Sequence, residues 1–299
     1  MKTALLFPGQ GSQKVGMGRD VAEAFPAARA VFDAADAALG FRLSSICFEG
    51  PEDVLTDTSN AQPAILLHSV AALRVLREEG GIEPAIAAGH SLGEYSALVA
   101  AGVLDEIDAL RIVRRRGELM YEAGLKQPGT MAAIIGLERE DVEEACREAA
   151  GNETVVVANV NSPGQIVVSG HIRAVERALE AAAARGAKKT IPLAVSGAFH
   201  SPLVSSAQKE LVAYIGGFAI RDAEIGVVTN VDARIARKKE EIVDALFRQL
   251  TNPVRWSESM STLLNEWSGP VIEAGPGKVL AGLLKRIDPS RSARCAGTV

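Results

Sequence analysis

At 299 residues the chain is long enough for two domains, and its 47% hydrophobic and 23% charged residues are typical of a soluble globular protein. The net charge of −5, without a broad basic surface or interleaved aromatic residues, argues against nucleic-acid binding. Cys47, Cys146 and Cys295 lack metal-ligand spacing, which indicates a reducing compartment and argues against a zinc site or a disulfide framework. The first apolar run ends at Pro8, too early for a signal peptide, and no apolar segment is long enough to span a bilayer. We therefore expect a cytoplasmic protein with no membrane partner.

Short apolar runs alternate with longer helical patterns, which predicts an α/β fold with a parallel sheet. Residues 3–7 are predicted as a strand, and a glycine-rich turn follows at residues 9–12. Helical spacing covers residues 20–38 and 62–79, and residues 85–88 form a second short strand. A further helix begins at Asp105, and strands near residues 226–229 and 271–274 resume the pattern later in the chain.

Residues from about 129 to 194 have a different pattern, β-α-β-β-α-β, which is the ferredoxin-like split motif. Its predicted elements are strand 131–135, helix 141–150, strands 155–158 and 166–169, helix 172–185 and strand 190–193. Another helix is expected to begin at Pro202. The sequence therefore predicts a larger α/β domain of residues 1–126 and 197–299, with residues 127–196 inserted as a small ferredoxin-like domain.

Gly89-His90-Ser91-Leu92-Gly93 is a G-x-S-x-G between the strand at 85–88 and a helical pattern that opens at Glu94. This context is typical of a nucleophile elbow, in which the chain turns sharply and exposes the serine hydroxyl. Glycine on either side permits the close approach of strand and helix. We predict that Ser91 is a nucleophile and that the Leu92 amide donates to an oxyanion, with a second donor from the turn at residues 9–12.

A serine nucleophile needs a base within hydrogen-bond reach, and the chain has four histidines. His68 lies in a helical pattern and fits a core position, His90 is expected to pack beneath the elbow, and His171 begins a helix. His200 lies in an irregular segment between scaffold elements, where catalytic groups concentrate, so it is the favoured base. No acidic third member stands out, and a backbone carbonyl could fix the histidine tautomer instead.

Four arginines lie close together on the helix that begins at Asp105. Arg111, Arg114 and Arg115 are interpreted as a solvated face. Arg116 shares the apolar face with residues such as Met120, and an arginine there needs a carboxylate partner. That carboxylate comes either from the protein or from a substrate, which a guanidinium can bind bidentately.

Several collinear motifs between residue 3 and about residue 283 resemble the malonyl-CoA:acyl carrier protein transacylases of fatty-acid synthesis. They are Gly9-Gln10-Gly11-Ser12-Gln13, Gln62-Pro63-Ala64-Ile65-Leu66, Gly89-His90-Ser91-Leu92-Gly93-Glu94-Tyr95-Ser96-Ala97-Leu98, Arg116-Gly117-Glu118-Leu119-Met120, Asn159-Val160-Asn161-Ser162-Pro163-Gly164-Gln165 and Phe199-His200-Ser201-Pro202-Leu203.

The resemblance implies an α/β-hydrolase-like larger domain, a ferredoxin-like smaller domain and an active site in the cleft between them. It implies that Ser91 is acylated with His200 as its base, and that the backbone carbonyl of Gln249 orients the histidine. The other residues implied by it are Gln10 and Leu92 for the oxyanion hole, Arg116 for the malonyl carboxylate, and Met120, Asn161, Phe199 and Asn230 for the substrate cleft. In related polyketide acyltransferases an aromatic residue at the position of Phe199 accompanies malonyl rather than methylmalonyl use.

The activity implied by this likeness is ping-pong transfer of malonyl from malonyl-CoA to holo acyl carrier protein, without a metal or redox cofactor. The likeness also suggests a monomer. It leaves open whether fatty-acid or polyketide synthesis is served. The alternatives are a serine hydrolase or thioesterase, in which water resolves the acyl-enzyme, and a non-catalytic binding module that retains the fold.

Overall fold

The computed structural model describes residues 1–298. Its strands are β1 Lys2–Phe7, β2 Glu83–Gly89, β3 Thr130–Ile135, β4 Val155–Ser162, β5 Gln165–Gly170, β6 Lys189–Pro192, β7 Gly226–Val228, β8 Ile235–Ala236, β9 Val271–Ala274 and β10 Arg294–Ala296. Its α-helices are α1 Arg19–Ala24, α2 Pro26–Leu39, α3 Leu43–Glu49, α4 Glu52–Thr56, α5 Thr58–Glu78, α6 Gly93–Ala100, α7 Glu106–Lys126, α8 Arg139–Ala150, α9 Ile172–Ala184, α10 Ser205–Ile215, α11 Lys239–Gln249, α12 Trp256–Glu266 and α13 Val279–Ile287. None of the helices in the described part of the chain is long and apolar enough to cross a membrane.

The larger sheet has the strand order β10-β9-β1-β2-β7-β8, parallel except for the β7–β8 pair. Five of the six residues of β1 are buried, as expected for a central strand covered on both faces. One apolar core lies between this sheet and helices that include α2, α5, α6 and α7, and a second packs the opposite face against α12 and α13. The predicted α/β fold class with its parallel sheet is confirmed.

The smaller sheet is antiparallel and has the order β4-β5-β3-β6. Helices α8 and α9 cover it and share its apolar core. The chain order β3-α8-β4-β5-α9-β6 is the predicted ferredoxin-like motif. The division of the chain at residues 126/127 and 196/197 stays a prediction.

Several element boundaries differ from the predictions for local reasons. The helix predicted over residues 20–38 is two helices, because Phe25 is extended before Pro26, where the α conformation is disfavoured. Helix α5 begins at Thr58, four residues before the predicted start, because the Asp57 side chain caps it by accepting from the Ser59 amide. The helix expected at Pro202 is a 3₁₀ turn, Pro202–Val204, that leads into α10.

Backbone pairing joins the small sheet to the larger unit. The Val160 amide donates to the Val254 carbonyl at 2.9 Å, and the Val254 amide donates to the Ala158 carbonyl at 2.8 Å. Strand β4 is therefore longer than the predicted 155–158, and its far end lies against the segment that connects α11 to α12.

Candidate active site

Ser91 lies in the turn between β2 and α6, with a positive φ of 52°. This left-handed conformation is uncommon for a non-glycine residue and is expected at a nucleophile elbow. A Cβ on Gly89 would lie 1.9 Å from the Gly93 backbone, and one on Gly93 would lie 2.2 Å from the Phe7 carbonyl oxygen. Both glycines are therefore required for strand and helix to approach this closely.

His200 is oriented from both sides of its ring. The Ser91 hydroxyl lies 2.8 Å from Nε2, and the carbonyl oxygens of Gln249 and Asn252 lie 3.0 and 3.1 Å from Nδ1. Because a carbonyl only accepts, Nδ1 carries the ring proton and the Nε2 lone pair faces the serine hydroxyl. Burial, assisted by the nearby Arg116 charge, lowers the pKa of His200 to about 3, so the ring is neutral at physiological pH.

The side chains of Asn230 and Gln249 hold the elbow at Ser91 by hydrogen bonds to its backbone. The Asn230 side chain accepts from the Ser91 amide at 2.7 Å and donates to the Gly89 carbonyl at 2.7 Å, so it binds both ends of the turn. The Gln249 side chain donates to the Ser91 carbonyl at 3.0 Å. These hydrogen bonds offset the cost of the left-handed Ser91 conformation.

Two backbone amides are free to stabilise an oxyanion. Within residues 1–298 the amides of Gln10 and Leu92 have no hydrogen-bond acceptor, and both residues line the cleft at Ser91. The Gln10 side chain donates to Thr58 Oγ1 at 2.9 Å, which fixes the turn after β1. The Ser91 amide is already bonded to Asn230, so the elbow offers the Leu92 amide instead.

Arg116 is a buried guanidinium, 1% exposed, without a carboxylate within 4 Å among the described residues. Nη1 donates to Gln62 Oε1 at 2.5 Å, and Nη2 donates to Ser91 Oγ and to Gln249 Oε1, each at 3.1 Å. Nε is buried without a partner. Burial lowers the pKa of Arg116 from its usual value, although neighbouring Tyr95 and Glu94 oppose that shift. A buried cation that contacts the nucleophile and has no carboxylate partner can bind an anionic substrate group.

These residues surround a cleft of about 400 Å³ between the two sheets. Met120 and Phe199 line it together with Gln10, Ser91, Leu92, Arg116 and His200. Asn161, Asn230 and Gln249 lie behind this lining, where Asn161 Oδ1 is 2.8 Å from His90 Nε2. The structure thus brings all the predicted site residues to one place, some in the wall of the cleft and some supporting it.

Proteins of known family resemble this chain over nearly its whole length. The acyl transferase domain family matches residues 4–298. Malonyl CoA-acyl carrier protein transacylases of Bacillus subtilis and Escherichia coli are 48% and 47% identical, covering 96% and 95% of this chain and 90% and 92% of those proteins. The chain belongs to the malonyl CoA-acyl carrier protein transacylase family.

Solved transacylase structures have the same fold as this chain. A malonyl-transacylase in complex with a type II polyketide synthase acyl-carrier protein superposes with a TM-score of 0.97 at 45% identity, covering 100% of this chain and 97% of that one. The acyl carrier protein S-malonyltransferase of Vibrio cholerae gives a TM-score of 0.95 at 44% identity, covering 100% and 98%. The predicted resemblance to the transacylase family is therefore confirmed.

The transacylase site contains supporting residues that the sequence did not single out individually. Gln62, Glu94 and Asn252 bond to Arg116, Gln249 and His200, respectively. Gln62 directly precedes an apolar run of α5 and lies on a helix with an apolar pattern, and a polar residue in that place was the available signal. An acid in the first turn of a helix is ordinary, and so Glu94 gave no signal.

One prediction about the transacylase helix α7 is wrong. Arg114 is not simply solvated, because its guanidinium donates to the Ser59 carbonyl at 2.9 Å and lies 5.2 Å from the Phe41 ring centroid. It also pairs with Glu118 at 2.7 Å. The guanidinium thus connects α7 to the start of α5, a contact that sequence spacing alone did not show.

Proposed function

We propose that the chain transfers malonyl from malonyl-CoA to the phosphopantetheine thiol of holo acyl carrier protein through a malonyl ester of Ser91. One observation carries the proposal: Ser91 Oγ lies between a neutral base, His200 Nε2 at 2.8 Å, and a buried cation, Arg116 Nη2 at 3.1 Å. A base and a buried cation that both contact one nucleophile suit a short acyl group with a terminal carboxylate.

In the first half-reaction Ser91 Oγ attacks the thioester carbonyl and its proton passes to His200 Nε2. The resulting imidazolium keeps its Nδ1–H bonds to the carbonyls of Gln249 and Asn252. The carbonyl oxygen, now an anion, accepts from the Leu92 and Gln10 amides. The carbon–sulfur bond breaks, the CoA thiol takes the proton from His200, and the malonyl ester remains on Ser91.

The second half-reaction reverses these roles. The carrier thiol gives its proton to His200 Nε2 and attacks the ester carbonyl, and the same two amides bind the oxyanion. The bond from carbon to Ser91 Oγ breaks, and His200 returns the proton to the serine. One base therefore serves both steps without a net change in protonation.

Arg116 selects the acyl group in this scheme. The malonyl carboxylate pairs with the guanidinium through Nη2, the nitrogen that faces Ser91 in the cleft. This charge pairing places the thioester carbon beside the nucleophile. An acetyl group lacks the charge that this pairing requires.

Intact-protein mass spectrometry after brief mixing with malonyl-CoA, and then with holo acyl carrier protein, tests the proposal. We expect a malonyl adduct on Ser91 that persists without carrier protein and is lost on its addition, and no adduct on Ser91→Ala. Rapid loss of the adduct to water would instead identify a hydrolase or thioesterase. Absence of any adduct on the wild type would favour a non-catalytic binding module.

The physiological setting is part of the same proposal. Malonyl carrier protein is the chain-extender unit of fatty-acid or polyketide synthesis, and the site geometry is compatible with either pathway. We propose a cytoplasmic location, supported by the free state of Cys47, Cys146 and Cys295. The monomeric state stays a prediction.

A further inference from the structure

Glu94 is a buried carboxyl that the reaction scheme above does not use. It lies three residues after Ser91 in the first turn of α6 and is 1% exposed. It does not line the cleft, so it has no direct contact with substrate there. A buried acid is costly to the fold unless hydrogen bonds compensate, and such a group is often part of a functional site.

The hydrogen bonds of Glu94 lead to two residues that hold the site. Its Oε2 accepts from Gln249 Nε2 at 2.7 Å and from the Asn230 amide at 3.3 Å. The Gln249 carbonyl orients His200, and the Asn230 side chain binds both ends of the elbow. One carboxyl oxygen therefore connects the base and the nucleophile through one residue each.

Glu94 also helps to hold the Gln249 amide in one orientation. Both Nε2 hydrogens are used, one by Glu94 and the other by the Ser91 carbonyl at 3.0 Å. Gln249 Oε1 consequently points to Arg116, whose Nη2 donates to it at 3.1 Å. Loss of the Glu94 acceptor would leave one Nε2 hydrogen buried without a partner and remove one of the three hydrogen bonds that hold this side chain.

We propose that Glu94 is a positioning residue of the transfer reaction, which fixes His200 through Gln249 and the Ser91 elbow through Asn230. The inference rests on the proposed function, because it assigns Glu94 to the same two half-reactions. Its contribution is geometric, since a displacement of about 1 Å in a reacting group can cost roughly 10²-fold in rate.

The acceptor role does not depend on a full negative charge. Burial raises the pKa of Glu94 to about 7, while its bonds to Gln249 and Asn230 and the charge of Arg116 oppose that shift. The carboxyl is thus partly protonated at neutral pH, and Oε2 accepts in either state when the proton is on Oε1. A glutamine at this position can present its carbonyl oxygen to the same two donors.

The test compares Glu94→Ala, Glu94→Gln and Glu94→Asp in single-turnover malonylation of Ser91 and in steady-state transfer. We expect Glu94→Ala to lower kcat by about 10²-fold in both half-reactions, with the KM for malonyl-CoA close to wild type. Glu94→Gln should recover most of the lost rate. Glu94→Asp withdraws the acceptor by one methylene, so its kcat should lie between those of Glu94→Ala and Glu94→Gln. This variant provides the comparison if Glu94→Ala does not fold.

Glu273 offers a matched control, because it is fully buried and, among the described residues, its carboxyl group bonds only to backbone amides at the start of α13, including those of Leu280 and Ala281. Glu273→Ala should lower the melting temperature of the protein but should not show the decrease in kcat that is expected for Glu94→Ala. The inference is overturned if folded Glu94→Ala or Glu94→Asp keeps the wild-type kcat, if Glu94→Gln is as slow as Glu94→Ala, or if Glu273→Ala is equally slow. Failure of the proposed function is distinguishable, because the wild type itself would then form no malonyl-Ser91.

Discussion

Replacement of Arg116 by alanine tests how the site selects its acyl group. The guanidinium is 1% exposed, and its nearest bonded partners are Gln62, Ser91 and Gln249, all neutral. A malonyl carboxylate would therefore be its direct counter-ion. Removal of one member of a buried charge pair costs on the order of 3–5 kcal/mol, because the other charge is left unpaired.

The lower end of that range applies here, because the cleft of about 400 Å³ is open to water and the substrate carboxylate keeps part of its hydration. A loss of about 3 kcal/mol corresponds to a fall of roughly 10²-fold in kcat/KM for malonyl-CoA. Acetyl-CoA has no charge to leave unpaired, so its rate should fall less. The preference for malonyl over acetyl should therefore decrease by a factor approaching 10².

Time-resolved mass spectrometry of the acyl-enzyme, with each thioester over a range of concentrations, measures this preference. Arg115→Ala is the matched control on the same helix, since Arg115 pairs with half-exposed carboxylates such as Glu118 and Glu210. It should leave the preference unchanged. An unaltered malonyl-to-acetyl ratio in folded Arg116→Ala would show that Arg116 supports the structure alone.

Three further predictions concern the base and the cleft wall. His200→Ala should slow malonylation and carrier transfer by comparable large factors, measured separately by single-turnover kinetics; a defect confined to the second step would contradict a shared base. Because burial lowers the pKa of His200 to about 3, below the usual 6.5, the ring stays neutral as pH falls, and the malonylation rate should be level between about pH 5 and 8 while circular dichroism shows a folded protein. A rate that halves near pH 6.5 would refute that assignment. Phe199 lines the cleft and is 4% exposed, so Phe199→Ser should make room for a methyl group and narrow the malonyl-over-methylmalonyl ratio in kcat/KM by roughly 10- to 200-fold. Retention of the full preference would mean that the ring only packs the junction between the sheets.

The parts of the site that the sequence could predict are those with a local signature. The elbow at Ser91 shows both a residue motif and a strand-to-helix transition, and His200 was isolated by its irregular segment among only four histidines. The resemblance then supplied Gln249, which lies 158 residues from Ser91. Gln62, Glu94 and Asn252 act through tertiary hydrogen bonds, and nothing in their local sequence says which partner they meet.

The same distinction applies to the fold. Strands buried on both faces, such as β1, are apolar runs and were predicted almost to the residue. Strands β8 and β10 have two and three residues at the edges of the sheet, too short for a periodic pattern, and were not predicted. Strands β8 and β10 form by pairing with a neighbouring strand that is distant in sequence or short itself, and a local sequence pattern does not show such pairing.

The segment between α11 and α12 has a mechanical consequence for catalysis. The Asn252 carbonyl is bonded to His200, Val254 pairs with strand β4, and the Arg255 amide donates to the Asn230 carbonyl at 3.0 Å. The segment that pairs with strand β4 of the small sheet is thus the same segment that orients His200 and supports the elbow at Ser91. A movement of the small sheet that widened the cleft would displace these carbonyls as well, so the width of the cleft and the alignment of the base change together rather than separately.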